Sequence, residues 1–128
     1  MVKIEHVAMY VKDLEMMKAF YCHHFNGEAN SKYYNPKTGL ETYFITFDDG
    51  ARLELMTRPG VNEASDDLWV YGFTHLAMSV GSKETVNQLT QTLIDAGCEH
   101  ISGPRTTGDG YYESCIKDPE GNQIEITV

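Results

Sequence analysis

Four residues of two types stand at matched intervals in this 128-residue chain: His6 and Glu54, then His75 and Glu125. Position 6 to position 54 is 48 residues, and position 75 to position 125 is 50. Imidazole suits zinc, nickel, cobalt and iron, and oxygen ligands extend the range to manganese, so two His and two Glu would serve a divalent transition ion. Around a six-coordinate ion, four protein ligands leave two positions for water or substrate, which is a catalytic arrangement and not a closed structural one. Taken singly, each histidine reads as a half-buried, hydrogen-bonded side chain. The repetition of both types at matching places favours the ligand reading.

The elements that must position these residues are themselves duplicated. His6-Val7-Ala8-Met9-Tyr10-Val11 reappears as His75-Leu76-Ala77-Met78-Ser79-Val80, an offset of 69 from position 6 to position 75. A glycine turn feeding a strand occurs as DDGARLELM at 48–56 and as DPEGNQIEITV at 118–128, aligning Glu54 with Glu125 at an offset of 71. Helical spacing follows the first strand of each copy: Leu14, Met17, Tyr21 and Phe25 after a capping Asp13, then Val86, Leu89, Leu93 and Ala96 after Ser82. Gly27 and Gly97 are the expected stops. Segments 28–35, 41–47, 99–104 and 111–117 read as strands, separated by the turns PKTG and TTGDG.

Each half is therefore βαβββ. The expected chain is α+β, a single domain of two tandem modules, 1–57 and 72–128, joined by a Pro-, Gly- and acid-rich linker at 58–71. Strand alternation places His6 with Ala8 and Tyr10, His75 with Ala77 and Ser79, and Glu54 with Arg52 and Met56. The opposite, more aliphatic face is free to pack under the helices. A sheet curved around the His- and Glu-bearing face would gather all four side chains.

Composition narrows the partner. With 41% hydrophobic and 23% charged residues the chain reads as globular, and no apolar run approaches the roughly 20 residues that span a bilayer. A net charge of −9 argues against a nucleic-acid backbone, where affinity comes largely from Lys and Arg. A small molecule is the expected partner, anionic where Arg52, Arg58 or Arg105 is gathered locally. The stretch MVKIEHVAMYV carries charge within its apolar run and no small-residue cleavage site, so no signal peptide and a cytoplasmic location are expected. Cys22, Cys98 and Cys115 form an odd set without CxxC spacing and read as reduced packing residues. Neither Cys22-His23-His24 nor Cys98-Glu99-His100 has a second pair at zinc-finger spacing.

Paired βαβββ modules, a His near the start of each first strand, a Glu on each last strand and the ending DPEGNQIEI together resemble the vicinal oxygen chelate superfamily. That superfamily includes glyoxalase I, bleomycin-resistance proteins, extradiol dioxygenases and methylmalonyl-CoA epimerase. The resemblance covers nearly the whole chain. It implies a curved, eight-stranded incomplete barrel with the helices outside, a homodimer, and one divalent ion (Ni, Co, Zn, Mn or Fe) held by His6, Glu54, His75 and Glu125. Extradiol dioxygenases and fosfomycin-resistance thiol transferases use two His and one Glu, and epimerases tend to have Gln at the place of Glu54. The His-Glu-His-Glu set most resembles bacterial glyoxalase I.

The implied activity is that of a lyase or isomerase on a small oxygen-chelating substrate, such as a thiol adduct of a 2-oxoaldehyde. Glu125 is the implied base, with Glu54 second. Bacterial glyoxalase I typically has an Arg four residues after its first His, where this chain has Tyr10. Arg52 or Arg105 is therefore the expected anion anchor, with Tyr10, Tyr43 and Tyr111 lining the cup and Trp69 acting as a lid or dimer contact. Alternative activities on the same scaffold are bleomycin-resistance-like small-molecule binding, CoA-ester epimerisation and oxygen chemistry on a catechol.

Overall fold

A computed structural model describes residues 1–63, 69 and 71–128; the rest of the expected linker, 64–68 and 70, lies outside the described residues. The chain divides into two compact units, Met1–Ala64 and Ser65–Val128. No helix is long and apolar enough to cross a membrane among the described residues.

The first unit runs β1 (His6–Tyr10), α1 (Leu14–Phe25), β2 (Glu28–Ala29), β3 (Tyr33–Asn35), β4 (Leu40–Thr46) and β5 (Arg52–Thr57). Asp13 caps α1 as its sequence requires, its side chain accepting from the Met16 N–H at 3.0 Å. Leu14, Met17, Phe20 and Tyr21 form the buried stripe. It packs on Val11, Tyr43, Ile45, Leu53 and Leu55, all under 8% exposed. The left-handed residue that ends the helix is Asn26, at φ 55°, not Gly27. Gly27 answers a different need, because a Cβ there would collide with Ile45 Cγ2.

Sheet order in this unit is β1-β5-β4-β2, with β3 also on β4. The strand expected over 28–35 is thus two strands, making nine in all among the described residues where eight were expected. Asn30 explains the break. Its backbone N–H donates to the Phe44 carbonyl at 3.0 Å while its side-chain oxygen accepts from the Phe44 N–H at 2.8 Å, so a side chain closes the ladder where backbone pairing lapses.

The second unit repeats the plan with β6 (His75–Ser79), α2 (Lys83–Asp95), β7 (His100–Thr106), β8 (Tyr112–Lys117) and β9 (Gln123–Thr127), in sheet order β6-β9-β8-β7. Ser82 caps α2 by accepting from the Thr85 N–H at 3.1 Å, and Gly97, at φ 97°, supplies the left-handed turn after it. Val86, Leu93, Ile116, Ile124 and Ile126 are fully buried. Thr90 takes a core place where Leu89 and Ala96 were expected. Its hydroxyl donates to the Val86 carbonyl at 2.6 Å and meets Ser114 Oγ at 2.6 Å, so burial leaves no polar atom unpaired.

The chain is therefore α+β, two tandem modules each with its own helix-covered, open sheet. In both, the first and last strands run parallel and adjacent, and the register is the same: Ala8 opposite Glu54, and Ala77 opposite Glu125.

Candidate functional site

Alternation decides which face each side chain takes, and it does so identically in the two modules. Along β5 and β9, Leu53, Leu55, Ile124 and Ile126 are buried beneath the helices while Glu54 and Glu125 lie on the opposite face. Along β1 and β6, His6 and His75 share that opposite face. Because Ala8 and Ala77 are the direct partners of the two glutamates, each histidine stands one diagonal step away across the parallel pair. The small alanines leave the space over which His and Glu meet.

His6 Nε2 lies 3.8 Å from Glu54 Oε1, and His75 Nε2 lies 3.0 Å from Glu125 Oε1. The glutamates are the more sheltered members, with side chains 16% and 20% exposed. In both histidines the other ring nitrogen is held by the preceding residue. His6 Nδ1 is bonded to the Glu5 carboxylate, and His75 Nδ1 meets Thr74 Oγ1 at 3.0 Å. Neither Glu5 nor Thr74 is apparent from the sequence pattern, since both precede the strands.

Around His6 the packing is aromatic. Phe44, directly opposite Glu54 in the β4–β5 register, meets the imidazole edge to face at 5.3 Å and carries the Arg52 guanidinium 4.2 Å above its ring. Arg52 also donates from Nε to Glu5 Oε1 at 2.8 Å. Hydrogen bonds from His6 and Arg52 outweigh partial desolvation and hold the Glu5 carboxyl below its usual range. Arg52, expected as an anion anchor, is thus already engaged by a carboxylate of its own module.

The second module differs on the same face. Cys115 occupies the place opposite Glu125 that Phe44 takes opposite Glu54, and Glu113 follows two residues before it. Burial first, then the hydrogen bond to and charge of Glu125, push the Glu113 carboxyl up. Burial and then the two glutamates push the Cys115 thiol up to about 11, so this cysteine stays a neutral packing group, as its sequence context implied. Glu113 has no carboxylate counterpart in the first module, where Thr42 stands, and nothing in the sequence repeat marks it.

Of the other expected residues, Arg105 on β7 is exposed and stands opposite Glu113 in the β7–β8 register. Tyr10 shares the face of His6 and is 53% exposed; Tyr111, just before β8, is 58% exposed. Tyr43 does not line this face. It is 7% exposed beneath α1, donating its hydroxyl to Glu15 at 2.9 Å, because its position on β4 has the parity of Ile45. Trp69 is 93% exposed.

Among the described residues, no group of three or more His, Cys, Asp or Glu side chains is assembled as a metal cluster; each module presents one His–Glu pair across its first and last strands. The chemistry of the donors nevertheless fits a cation. A carboxylate can only accept, so the bond to Glu5 places the proton of neutral His6 on Nδ1 and turns the Nε2 lone pair toward a second carboxylate, Glu54. Two acceptors facing each other are reconciled by positive charge, supplied either by a second proton on the imidazole or by a metal ion between them. The His75–Glu125 separation of 3.0 Å is that of an ordinary N–H···O hydrogen bond, and two donors on one octahedral ion at about 2.1 Å would stand about as far apart.

A family model described as the Glyoxalase/Bleomycin resistance protein/Dioxygenase superfamily matches residues 3–126. The chain belongs to that superfamily. The uncharacterised protein YwkD of Bacillus subtilis (strain 168) is 28% identical over 96 residues, covering 75% of this chain and 73% of its own. Two solved superfamily folds superpose over nearly the whole chain. A glyoxalase family protein from Bacillus cereus has a TM-score of 0.83 at 15% identity, covering 99% of this chain and 93% of its own. The trypanothione-dependent glyoxalase I of Leishmania major has a TM-score of 0.78 at 22% identity, covering 99% and 86%. At such identities the likeness speaks for the superfamily fold.

Proposed function

We propose that this chain is a divalent-metal-dependent lyase or isomerase of the glyoxalase I type, with His6, Glu54, His75 and Glu125 as the four ligands. The observation that carries this reading is the His–Glu pair built twice, in one register, on the sheet face opposite the helix of each module. Membership of a superfamily that includes glyoxalase I supports it. The full ligand set is a reading from the repeat and the resemblance, with each module supplying half. On the same basis the active species is a homodimer.

A bound Ni, Co, Zn, Mn or Fe ion would supply Lewis acidity at the substrate's adjacent oxygens, making the neighbouring C–H more acidic. The chain's own residues then move the proton. Glu125 accepts it from one carbon and returns it to the next, with Glu54 the second choice. Glu113, whose carboxyl is pushed up by burial and then by Glu125, would steady Glu125 from the neighbouring strand. Arg105 would hold a substrate carboxylate through its planar fork, and Tyr10 and Tyr111 would cover the substrate's apolar part. Arg52, already tied to Glu5, is the weaker anchor.

The test is elemental analysis after titration with Ni(II), Co(II), Zn(II), Mn(II) and Fe(II), followed by assay of each loaded form on methylglyoxal adducts of several thiols. About one ion per chain and turnover by at least one form is the expected result. Failure of every metal to bind would overturn the proposal and leave sequestration of a small molecule as the function.

A further inference from the structure

We infer that Glu5 is a positioning residue for His6, and that Arg52 serves the site by holding Glu5 and not by binding substrate; this rests on the metal reading above. The two modules present their histidines alike but back them differently. Glu5 and Thr74 occupy the same place, immediately before His6 and His75, and each meets Nδ1. A carboxylate only accepts, so Glu5 fixes the Nδ1–H tautomer and leaves the Nε2 lone pair toward Glu54. A hydroxyl both donates and accepts, so Thr74 leaves the tautomer of His75 open.

Glu5 is itself held from two sides. The Arg52 guanidinium grips its carboxylate, donating from Nε at 2.8 Å and closing an ion pair from Nη2 at 2.5 Å. The Glu5 carbonyl also accepts the Arg52 backbone N–H at 2.9 Å, extending the β1–β5 ladder one residue beyond His6. Phe44 carries the guanidinium on its face and the imidazole against its edge. The line Phe44, Arg52, Glu5, His6 is therefore one packed unit that leaves His6 Nε2 facing Glu54. Partners of this kind behind a ligating imidazole raise its basicity, and their loss typically weakens metal binding about 10–100-fold. The first module thereby pre-sets its histidine, and the second leaves its own adaptable.

The experiment uses the full chain and the variants Glu5→Leu, Glu5→Gln, Arg52→Met and Thr74→Val. In the metal-free protein at pH 8, long-range nitrogen–proton NMR reads the His6 tautomer directly. Nδ1–H is expected in the unaltered chain, both tautomers in Glu5→Gln, whose amide can accept or donate, and Nε2–H in Glu5→Leu. In parallel, zinc affinity is measured by competition with a chromogenic chelator. A fall of about 10–100-fold is expected for Glu5→Leu, and a smaller one for Arg52→Met, Glu5→Gln and Thr74→Val. An unchanged tautomer and unchanged affinity in Glu5→Leu, with zinc still bound by the unaltered chain, overturns the inference and leaves the metal reading standing. No zinc binding by the unaltered chain overturns the metal reading and the inference with it, whatever the tautomer. Glu5→Gln, an isosteric change at an exposed position, guards against a folding defect in Glu5→Leu.

Discussion

His75 Nε2 and Glu125 Oε1 stand 3.0 Å apart, whereas their counterparts His6 Nε2 and Glu54 Oε1 stand 3.8 Å apart. Both pairs are proposed ligands, so the chain with His75→Ala should lose its bound ion at micromolar metal, and so should Glu54→Gln. Circular dichroism of each variant should match the unaltered protein, because all four side chains lie off the helix-covered core. Retention of one ion per chain by either variant would remove that residue from the ligand set.

If Glu125 moves the proton, Glu125→Gln should lower kcat by about 10²–10⁴ even when metal is supplied to saturation. Glu54→Gln, saturated likewise, should fall less. A larger loss in Glu54→Gln would exchange the two roles.

Arg105 faces solvent at the β7–β8 margin, opposite Glu113. Arg105→Ala should raise KM for a carboxylate-bearing thiol adduct about tenfold or more with little change in kcat, and should leave an uncharged adduct unaffected. Equal effects on both adducts would assign Arg105 a structural role.

At the end of α1, burial and then the neighbouring His23 hold His24 below its ordinary 6.5. A base whose pKa is depressed on folding adds stability above its unfolded value and loses it as pH falls through the folded one. Thermal unfolding of the unaltered protein should therefore drop more between pH 7 and pH 5 than that of His24→Gln. Parallel curves would show that His24 is solvated in the folded state.

Much of this fold is legible in the sequence because it obeys simple periods. Leu53, Glu54 and Leu55 alternate as a strand with one covered face must, and Asp13 and Ser82 announce their helices by side-chain chemistry alone. The duplication then marks which polar residues share a face and a register. What escapes is whatever depends on a partner distant in sequence. Thr90 is a core residue only because the Val86 carbonyl and Ser114 satisfy its hydroxyl. Tyr43 reads as a cup residue until its strand parity and Glu15 place it under α1. Glu113 and Glu5 lie outside the repeat: one has no first-module equivalent, and the other matters through a ring nitrogen that no pattern of apolar residues can reveal.

The parallel pairing of β1 with β5, and of β6 with β9, has a consequence for how the protein matures. Each His–Glu pair joins the first and last strands of its module, so forming it closes a loop that holds the helix and the intervening strands. Contacts of such long sequence separation are among the slowest to form. On the metal reading proposed above, an ion that prefers the finished geometry would discriminate against partly built chains and drain them toward the complete state by mass action. Metal supply would then govern how much competent protein a cell accumulates, as well as how fast each molecule works.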